Sequence, residues 1–123
     1  MRRVALAGLI ATLGSAWALS SAWAQLPPPP VDGQRVYVNA GCAYCHGNEG
    51  EGGWNGERLE GNRRMPDAAL VVNMILFGGA FMQGFADELS NEQIAAVANY
   101  IRNSWGNSAP PITIEYVATT RGE

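Results

Sequence analysis

The feature that most constrains this chain is a five-residue segment, Cys42-Ala43-Tyr44-Cys45-His46, which holds both cysteines and the only histidine. Two cysteines and one histidine cannot form a multi-bridge disulfide framework or a histidine-rich metal site. Two thiols separated by two residues and followed at once by an imidazole fit covalent attachment of a haem. The thiols can add to the two vinyl groups along one side of the porphyrin, and the next residue then lies beneath the iron. The segment therefore predicts one haem c bound through Cys42 and Cys45, with His46 as an axial ligand.

Three other uses of this segment fit the rest of the sequence less well. A dithiol redox site normally stands beside a βαβ pattern, which this sequence does not offer. A zinc site needs a fourth ligand, and two cysteines and a histidine within five residues are too crowded for an ordinary tetrahedral module. A plain disulfide would leave the long glycine-rich loop that follows without anything to order it.

The N-terminal residues predict an export signal. Arg2 and Arg3 precede an apolar stretch, and Ala22-Trp23-Ala24 offers a small-x-small cleavage site. Serines interrupt the apolar run before it reaches the roughly 20 residues that span a bilayer. We therefore expect residues 1–24 to be a cleaved signal peptide and the mature protein to lie in the periplasm. The alternative is an uncleaved leader that acts as a membrane anchor.

The remaining chain is small and acidic. A proline-rich spacer, residues 25–31, precedes a compact part that is marginal by buried area alone and usually needs a staple, metal or cofactor. The formal net charge of the full sequence is -3, it becomes -5 once Arg2 and Arg3 are removed with the leader, and no lysine is present. This balance excludes a generally basic nucleic-acid-binding protein, which needs clustered Lys and Arg.

Three helices are predicted from caps and periodicity. The first begins at Asp32, and the second begins after Pro66 with Asp67 as its cap and stops at Gly78-Gly79. The second is apolar almost all round, so more than one neighbour must cover it. The third begins at a capping box, Ser90 with Gln93, and is expected to run to Gly106. In the tail, residues 107–123, a partly alternating stretch at 112–117 indicates either a strand-like arm or a frayed turn.

The stretch from Gly47 to Met65 is predicted to be a loop because of its density of glycine. A loop this long in a small domain needs something to order it, and we expect a ligand to do so. Polar and aromatic side chains in the loop are available to contact the haem propionates, although a solvated polar loop is an equally simple interpretation. These residues are Trp54, Arg58, Asn62, Arg63 and Arg64.

The second axial ligand must come from another residue type, because no second histidine exists. A methionine thioether is the soft alternative, and the candidates are Met65, Met74 and Met82. Met74 lies inside the second helix, where filling the core is its ordinary role. Met82 is favoured because glycines flank its segment, and because Phe81 and Phe85 on either side can exclude water.

These residues together resemble a class I cytochrome c. Cys42–His46 matches the haem-binding signature, Met82-Gln83-Gly84-Phe85 resembles the distal loop, and residues 89–101 are similar to the closing helix. The resemblance implies a small all-α cytochrome c fold over residues 32–106, with three main helices and loops around one covalent haem. It also implies that the first and third helices cross closely, with Gly33 and Tyr100 in contact.

Two departures from the family pattern affect the site. Gln83 stands where the family usually has a proline after the ligand methionine, so a less rigid loop is expected. The loop from Gly47 to Met65 contains no proline, although the family often has one there whose carbonyl accepts from the proximal imidazole. Some other backbone carbonyl must then orient His46.

The resemblance implies a periplasmic single-electron carrier rather than an enzyme. The ending Ser104-Trp105-Gly106-Asn107 resembles cytochromes that serve periplasmic alcohol, aldehyde or sugar dehydrogenases. The expected donor is such a dehydrogenase, the expected acceptor is an oxidase or another cytochrome of the respiratory chain, and membrane contact is expected only through partners or an uncleaved leader. Two alternatives stay open: a relay subunit of a dehydrogenase complex that uses residues 107–123 as a binding arm, and an open-site haem protein that binds a gas or peroxide.

Overall fold

The computed structural model describes residues 30–123, and all regular secondary structure in this range is helical. Five helices follow in order: α1 (Gly33–Asn39), α2 (Cys42–His46), α3 (Ala68–Phe77), α4 (Asn91–Arg102) and α5 (Ile114–Arg121). The predicted all-α class is confirmed. The predicted signal peptide and most of the spacer lie outside the described residues. None of the helices within 30–123 has the length and apolar character needed to cross a bilayer.

Local capping chemistry sets where the three predicted helices, α1, α3 and α4, begin, as expected. The Asp32 carboxylate accepts from the backbone N–H of Gln34 at 2.9 Å, and Asp67 accepts from Leu70 at 3.0 Å. Ser90 and Gln93 form a reciprocal capping box, each side chain bonding to the other residue's backbone N–H. These side chains satisfy N–H groups that have no partner inside the helix.

Helix α4 ends three residues earlier than the sequence predicts, at Arg102 and not at Trp105. The chain leaves the helix at Asn103, and Trp105 takes a positive φ of 54°, which non-glycine residues rarely adopt. This conformation places the Trp105 ring against Tyr37 and Tyr100, with both centroid separations at 5.4 Å. Trp105 is therefore part of an aromatic cluster between α1 and α4 rather than a continuation of the α4 stripe.

The crossing of α1 and α4 depends on a glycine. A Cβ atom at Gly33 would lie 2.2 Å from the carbonyl oxygen of Ala96 and 2.7 Å from the Cβ of Tyr100. Only a residue without a side chain permits this approach of two helix backbones. The contact between Gly33 and Tyr100 that the family resemblance implied is confirmed.

Helix α3 is covered by two other helices and borders a cavity. Val71, Val72, Ile75 and Leu76 are buried, and α3 packs against both α4 and α5. Met74 lines a cavity described below, and a narrow face with Ala69, Asn73 and Phe77 is exposed. The expectation that more than one neighbour covers this helix is confirmed, and α5 is the neighbour that the sequence did not reveal.

The segment after residue 106 is neither a strand-like arm nor a frayed turn. Thr113 caps α5 by accepting from Tyr116 N–H at 3.1 Å, and Val117 is fully buried against the core. The side-chain amide of Asn99 donates to the carbonyl of Ile112 at 2.9 Å and accepts from its N–H at 2.7 Å. Six residues are too few to separate the two periodicities, and contact with α3 and α4 decided in favour of a helix.

Arg102 ties the end of α4 to two other parts of the chain. Its side chain is buried, and its guanidinium donates to the carbonyls of Met65 at 2.8 Å, Pro66 at 3.0 Å and Pro110 at 2.6 Å. Burial lowers the pKa of this guanidinium, but arginine stays protonated in proteins. The three carbonyl oxygens therefore solvate the buried Arg102 cation. In return, Arg102 holds the loop before α3 and the segment before α5 in place.

Candidate functional site

An apolar cavity lies between α1, α3, α4 and the loops. It is lined by Tyr37, Cys42, His46, Glu57, Leu59, Arg64, Met65, Leu70, Val71, Met74, Ile75, Met82, Phe85, Leu89, Val97 and Ile101. A neighbouring, wider cavity shares five of these residues, His46, Glu57, Met74, Met82 and Phe85. The wider cavity adds Cys45, so both cysteines border this joint space.

The segment Cys42–His46 forms one short helix, α2, with glycines at both ends. Gly41 has a φ of 83° and Gly47 a φ of 85°, so the chain enters and leaves α2 through conformations that favour glycine. Cys42 and Cys45 are three residues apart and share one face of the helix. Neither cysteine is in a disulfide. Burial, followed by the nearby Cys45 thiol, raises the pKa of Cys42 above its ordinary value, so the group stays a thiol.

The ring of His46 is oriented by a backbone carbonyl, as the absence of a loop proline required. Nδ1 of His46 lies 2.8 Å from the carbonyl oxygen of Glu57. A carbonyl oxygen can only accept, so Nδ1 carries the proton and Nε2 presents its lone pair. This is the tautomer that a metal-ligating imidazole requires, and the hydrogen bond fixes the ring's direction.

A second contact, which the sequence did not reveal, holds the same end of α2, at the residue after His46. The hydroxyl of Tyr37 donates to the carbonyl of Gly47 at 2.7 Å. Tyr37 is almost fully buried, and this burial raises the pKa of its hydroxyl far above the ordinary value, so the group remains a donor. The sequence placed Tyr37 only on the inner face of α1, because nothing in a helical pattern marks which carbonyl a tyrosine will reach.

All three candidate methionines line the first cavity. Met65 is buried, while Met74 and Met82 are partly buried and also border the wider cavity. Met74 lies within α3, where the helix fixes its backbone. Met82 lies between α3 and α4 outside any helix, and the hydrogen bond from Gly79 N–H to the Met82 carbonyl, 2.8 Å, closes a turn within its segment.

The two phenylalanines beside Met82 have different surroundings. Phe85 is buried and lines both cavities. Phe81 borders the wider cavity, but its side chain is fully exposed to solvent. Phe85 therefore excludes water from this side of the cavity, whereas Phe81, expected to do the same, does not.

Of the five loop residues predicted to contact propionates, only Arg64 borders the first cavity, and it forms an ion pair with Glu57. Trp54 is almost fully exposed, and Arg58 lies 3.7 Å from Glu60 in a surface ion pair. Asn62 shapes the loop by donating to the carbonyl of Arg58 and accepting from Arg64 N–H. Arg63 is exposed. Trp54, Arg58, Asn62 and Arg63 line neither cavity.

Comparison with known families decides how this site is interpreted. Residues 28–101 match the family described as "Cytochrome C oxidase, cbb3-type, subunit III". The chain belongs to this cytochrome c family. Covalently bound haem c and electron transfer by that haem are the properties the family implies.

Several relatives are dehydrogenase subunits. The "Alcohol dehydrogenase (quinone), cytochrome c subunit" of Gluconacetobacter polyoxogenes is 38% identical over 94 residues, covering 65% of this chain and 20% of the relative. The subunit of the same description from Gluconobacter oxydans (strain 621H) is 35% identical over 100 residues, covering 63% and 19%. The "Gluconate 2-dehydrogenase cytochrome c subunit" of Pantoea cypripedii is 31% identical over 109 residues, covering 72% and 24%. The chain thus spans about a fifth to a quarter of the length of these relatives.

A solved structure, "KustC0563 c-type cytochrome", aligns with a TM-score of 0.45 and 28% sequence identity. The alignment covers 58% of this chain and 95% of that chain.

The residues around the cavity fit a haem c. Two unpaired thiols border the joint space, the imidazole presents Nε2, and the lining is apolar enough to bury a porphyrin. A thioether sulfur is available as the second axial ligand.

Proposed function

We propose that this chain is a periplasmic single-electron carrier that holds one haem c through Cys42 and Cys45, with His46 and Met82 as axial ligands. The observation that carries this proposal is the hydrogen bond from His46 Nδ1 to the Glu57 carbonyl. It leaves Nε2 as the available imidazole donor at a cavity that Cys42 and Met82 also line.

The bound haem supplies a one-electron iron couple, and the residues of the chain set its environment. Glu57 fixes the direction of the His46 ring, and a thioether from Met82 favours the ferrous state more than a second imidazole would. The apolar lining, including buried Phe85, disfavours the extra positive charge of ferric iron. No acid–base residue is needed, so the protein acts as an electron carrier rather than an enzyme.

Electrons are expected to pass at the mouth of the wider cavity. Tyr44 and Phe81, which line this cavity together with Cys45, are 84% and 100% exposed. Glu57 is the only carboxylate among the residues that line the wider cavity. Docking here buries a small and mostly uncharged area, as is usual for transient redox complexes. Association with a partner should therefore depend only weakly on ionic strength.

The proposed donor is a dehydrogenase, and the proposed acceptor is an oxidase or another cytochrome of the respiratory chain. The donor is supported by the relatives, which are cytochrome c subunits of quinone-type alcohol dehydrogenase and gluconate 2-dehydrogenase. A relay within such a complex is the second candidate, favoured by the same relatives. Residues 107–123 do not form a free arm, because Ile112 and Val117 are buried, but Ile114 and Tyr116 leave an outer face for a partner.

Absorption spectra of protein produced with periplasmic haem attachment test the site. Wild type should show covalent haem in its intact mass and a methionine-to-ferric-iron charge-transfer band. Met82→Ala should abolish the band, whereas Met74→Ala, which alters a second methionine of the same cavity, should retain it. A bare polypeptide mass would refute haem attachment, and a band lost in Met74→Ala but kept in Met82→Ala would reassign the ligand.

The same sample tests the other parts of the proposal. A mature N-terminus at Gln25 in the periplasmic fraction would support export and cleavage, and retention of residues 1–24 would contradict it. Rapid CO binding by untreated ferrous wild type would favour an open iron site. A quinone-type alcohol dehydrogenase should reduce the ferric holoprotein. A failure of this reduction would contradict the proposed donor and leave the other parts of the proposal standing.

A further inference from the structure

The C-terminal helix ends against the segment that follows Met82. Arg121, in the last turn of α5, uses all three nitrogens of its guanidinium in hydrogen bonds to this segment and to the first residue of α4. Nη2 donates to the carbonyl of Leu89 at 2.8 Å, Nε donates to Oδ1 of Asn91 at 2.8 Å, and Nη1 donates to the carbonyl of Ala86. The Arg121 side chain is only 16% exposed. It lies well past residue 101, where the family match ends.

The segment that Arg121 holds forms part of the cavity wall. Phe85 and Leu89 line the first cavity together with Met82. The backbone N–H groups of Phe85 and Ala86 donate to carbonyls at the end of α3, at 2.9 and 3.0 Å, and this anchors the segment on one side. On the other side, the backbone carbonyls of Ala86 and Leu89 accept hydrogen bonds from Arg121 of α5. A shift of residues 86–89 would therefore move the wall beside Met82.

Arg121 extends from a helix that is itself fixed. Val117 is fully buried, and Asn99 makes two hydrogen bonds to Ile112 just before α5 begins. Arg102 holds the carbonyl of Pro110. The guanidinium is thus held at a set position relative to α4, and its contacts are not those of a loose tail.

The carboxylate of Glu123 also contacts Asn91 and Arg121, but it adds little to the hold on residues 86–89. Glu123 accepts from the Asn91 side-chain amide at 2.9 Å and lies 3.6 Å from Nε of Arg121. Its side chain is more than half exposed, so its ion pair with Arg121 contributes little. The contacts that fix residues 86–89 are therefore the two carbonyl hydrogen bonds.

We propose that Arg121 is a positioning residue for Met82: it clamps the end of the distal segment so that the thioether stays on the iron. Gln83 and Gly84 follow Met82, and neither fixes its own φ as a proline does, so the contacts from α5 supply stiffness that this segment lacks by itself. The proposal rests on the proposed function, because it requires haem and a Met82 ligand.

Titration of the ferric holoprotein with imidazole, which competes for the sixth position, measures how firmly the thioether is held. Arg121→Gln should bind imidazole at least about tenfold more tightly than wild type, since hydrogen bonds to a charged group are lost. Its charge-transfer band should weaken, while its covalent haem mass is unchanged. Arg121→Lys keeps the charge but not the planar set of donors, so its imidazole affinity should fall between those of wild type and Arg121→Gln.

Two control variants separate positioning from general loss of stability. Thr119→Ala alters an exposed residue of α5, and its imidazole affinity should stay within about twofold of wild type. Val36→Ala loosens a core contact of α1, outside α5 and outside both cavities, and should lower the unfolding midpoint while leaving imidazole affinity within the same limit.

Two results would overturn the proposal. One is an imidazole affinity of Arg121→Gln within twofold of that of wild type. If Arg121→Gln does not fold, the same result in Arg121→Lys counts instead. The other is an increase of imidazole affinity in Val36→Ala as large as that in the Arg121 variants, which would show that loss of stability alone explains the effect. A wild type without the methionine band would instead refute the proposed Met82 ligand itself.

Discussion

Nδ1 of His46 and the carbonyl oxygen of Glu57 lie 2.8 Å apart, and this contact joins α2 to the glycine-rich loop. The loop passes very close to α2 just before Glu57. A Cβ atom at Gly56 would lie 2.6 Å from the carbonyl oxygen of Cys45 and 3.1 Å from its Cβ. The orientation of the imidazole therefore depends on a residue without a side chain next to the accepting carbonyl.

We expect Gly56→Ala to destabilise the protein by about 1 to 3 kcal/mol, because the methyl group must push the loop away from Cys45. The displaced Glu57 carbonyl should also weaken its bond to His46 and lower the yield of holoprotein. Gly53→Ala is the matched control, since a Cβ there meets no atom within 4 Å. Denaturant unfolding and haem content measure both variants, and equal behaviour would contradict the prediction.

Gly33→Ala should separate α1 from α4. Its Cβ would meet backbone atoms of Ala96, which cannot rotate away, so a loss of about 1 to 3 kcal/mol or more is expected. Gln34→Ala changes the neighbouring exposed residue of α1 and should stay within about 0.5 kcal/mol of wild type. Urea unfolding midpoints compare the two, and a Gly33→Ala midpoint equal to that of the control would show that the helices do not approach this closely.

Asn99→Ala should loosen the segment that leads into α5. It removes both hydrogen bonds to Ile112, and a partly buried donor and acceptor lose their partners, at a cost of about 1 to 3 kcal/mol. Asn73→Ala is the control, because that amide is exposed and bonds only to its own helix at Ala69. Hydrogen exchange of α5 should quicken in the first variant only, and unchanged protection would argue against the role of Asn99.

Glu51→Gln should destabilise the turn after α2 in a pH-dependent way. Backbone N–H groups, that of Glu51 first and that of Glu49 next, lower the pKa of the Glu51 carboxyl below its ordinary 4.5. A lowered folded-state pKa contributes stability that is present above 4.5 and is lost as the pH falls below it.

The melting-temperature difference between wild type and Glu51→Gln should therefore be largest near neutral pH and shrink as the pH falls below 4.5. Glu49→Gln leaves the accepting carboxylate in place and serves as the control. A difference that did not change with pH would show that the charge on Glu51 is not what holds the turn.

Interactions within a few residues were predictable. Asp32, Asp67 and the Ser90–Gln93 pair act on backbone groups two or three positions away, so the residue order alone shows where these helices begin. The need for a carbonyl acceptor at His46 was also predictable, because the chemistry of a ligating imidazole demands one. Which carbonyl supplies it was not, because every residue has a carbonyl and only folding brings Glu57 to the ring.

Apart from the contact between Gly33 and Tyr100, which the family resemblance implied, contacts over long sequence separations were not predictable. Trp105 leaves the helical conformation to pack between Tyr37 and Tyr100, which shortened α4 relative to its sequence pattern. Phe81 carries the same apolar side chain as Phe85, yet one is exposed and the other buried. Side-chain type alone does not say which of two neighbouring residues the backbone turns toward the core.

The order of residues by itself determined the helical class, the helix starts and the chemistry available at Cys42, Cys45 and His46, because these follow from local hydrogen bonding and from the nature of each side chain. Only the tertiary structure decided that α5 closes the core and that Arg102 and Arg121 hold distant carbonyls. It also decided which methionines reach the cavity. The physical reason is that these contacts are made between segments whose approach depends on the packing of the whole chain, and no local pattern encodes that approach.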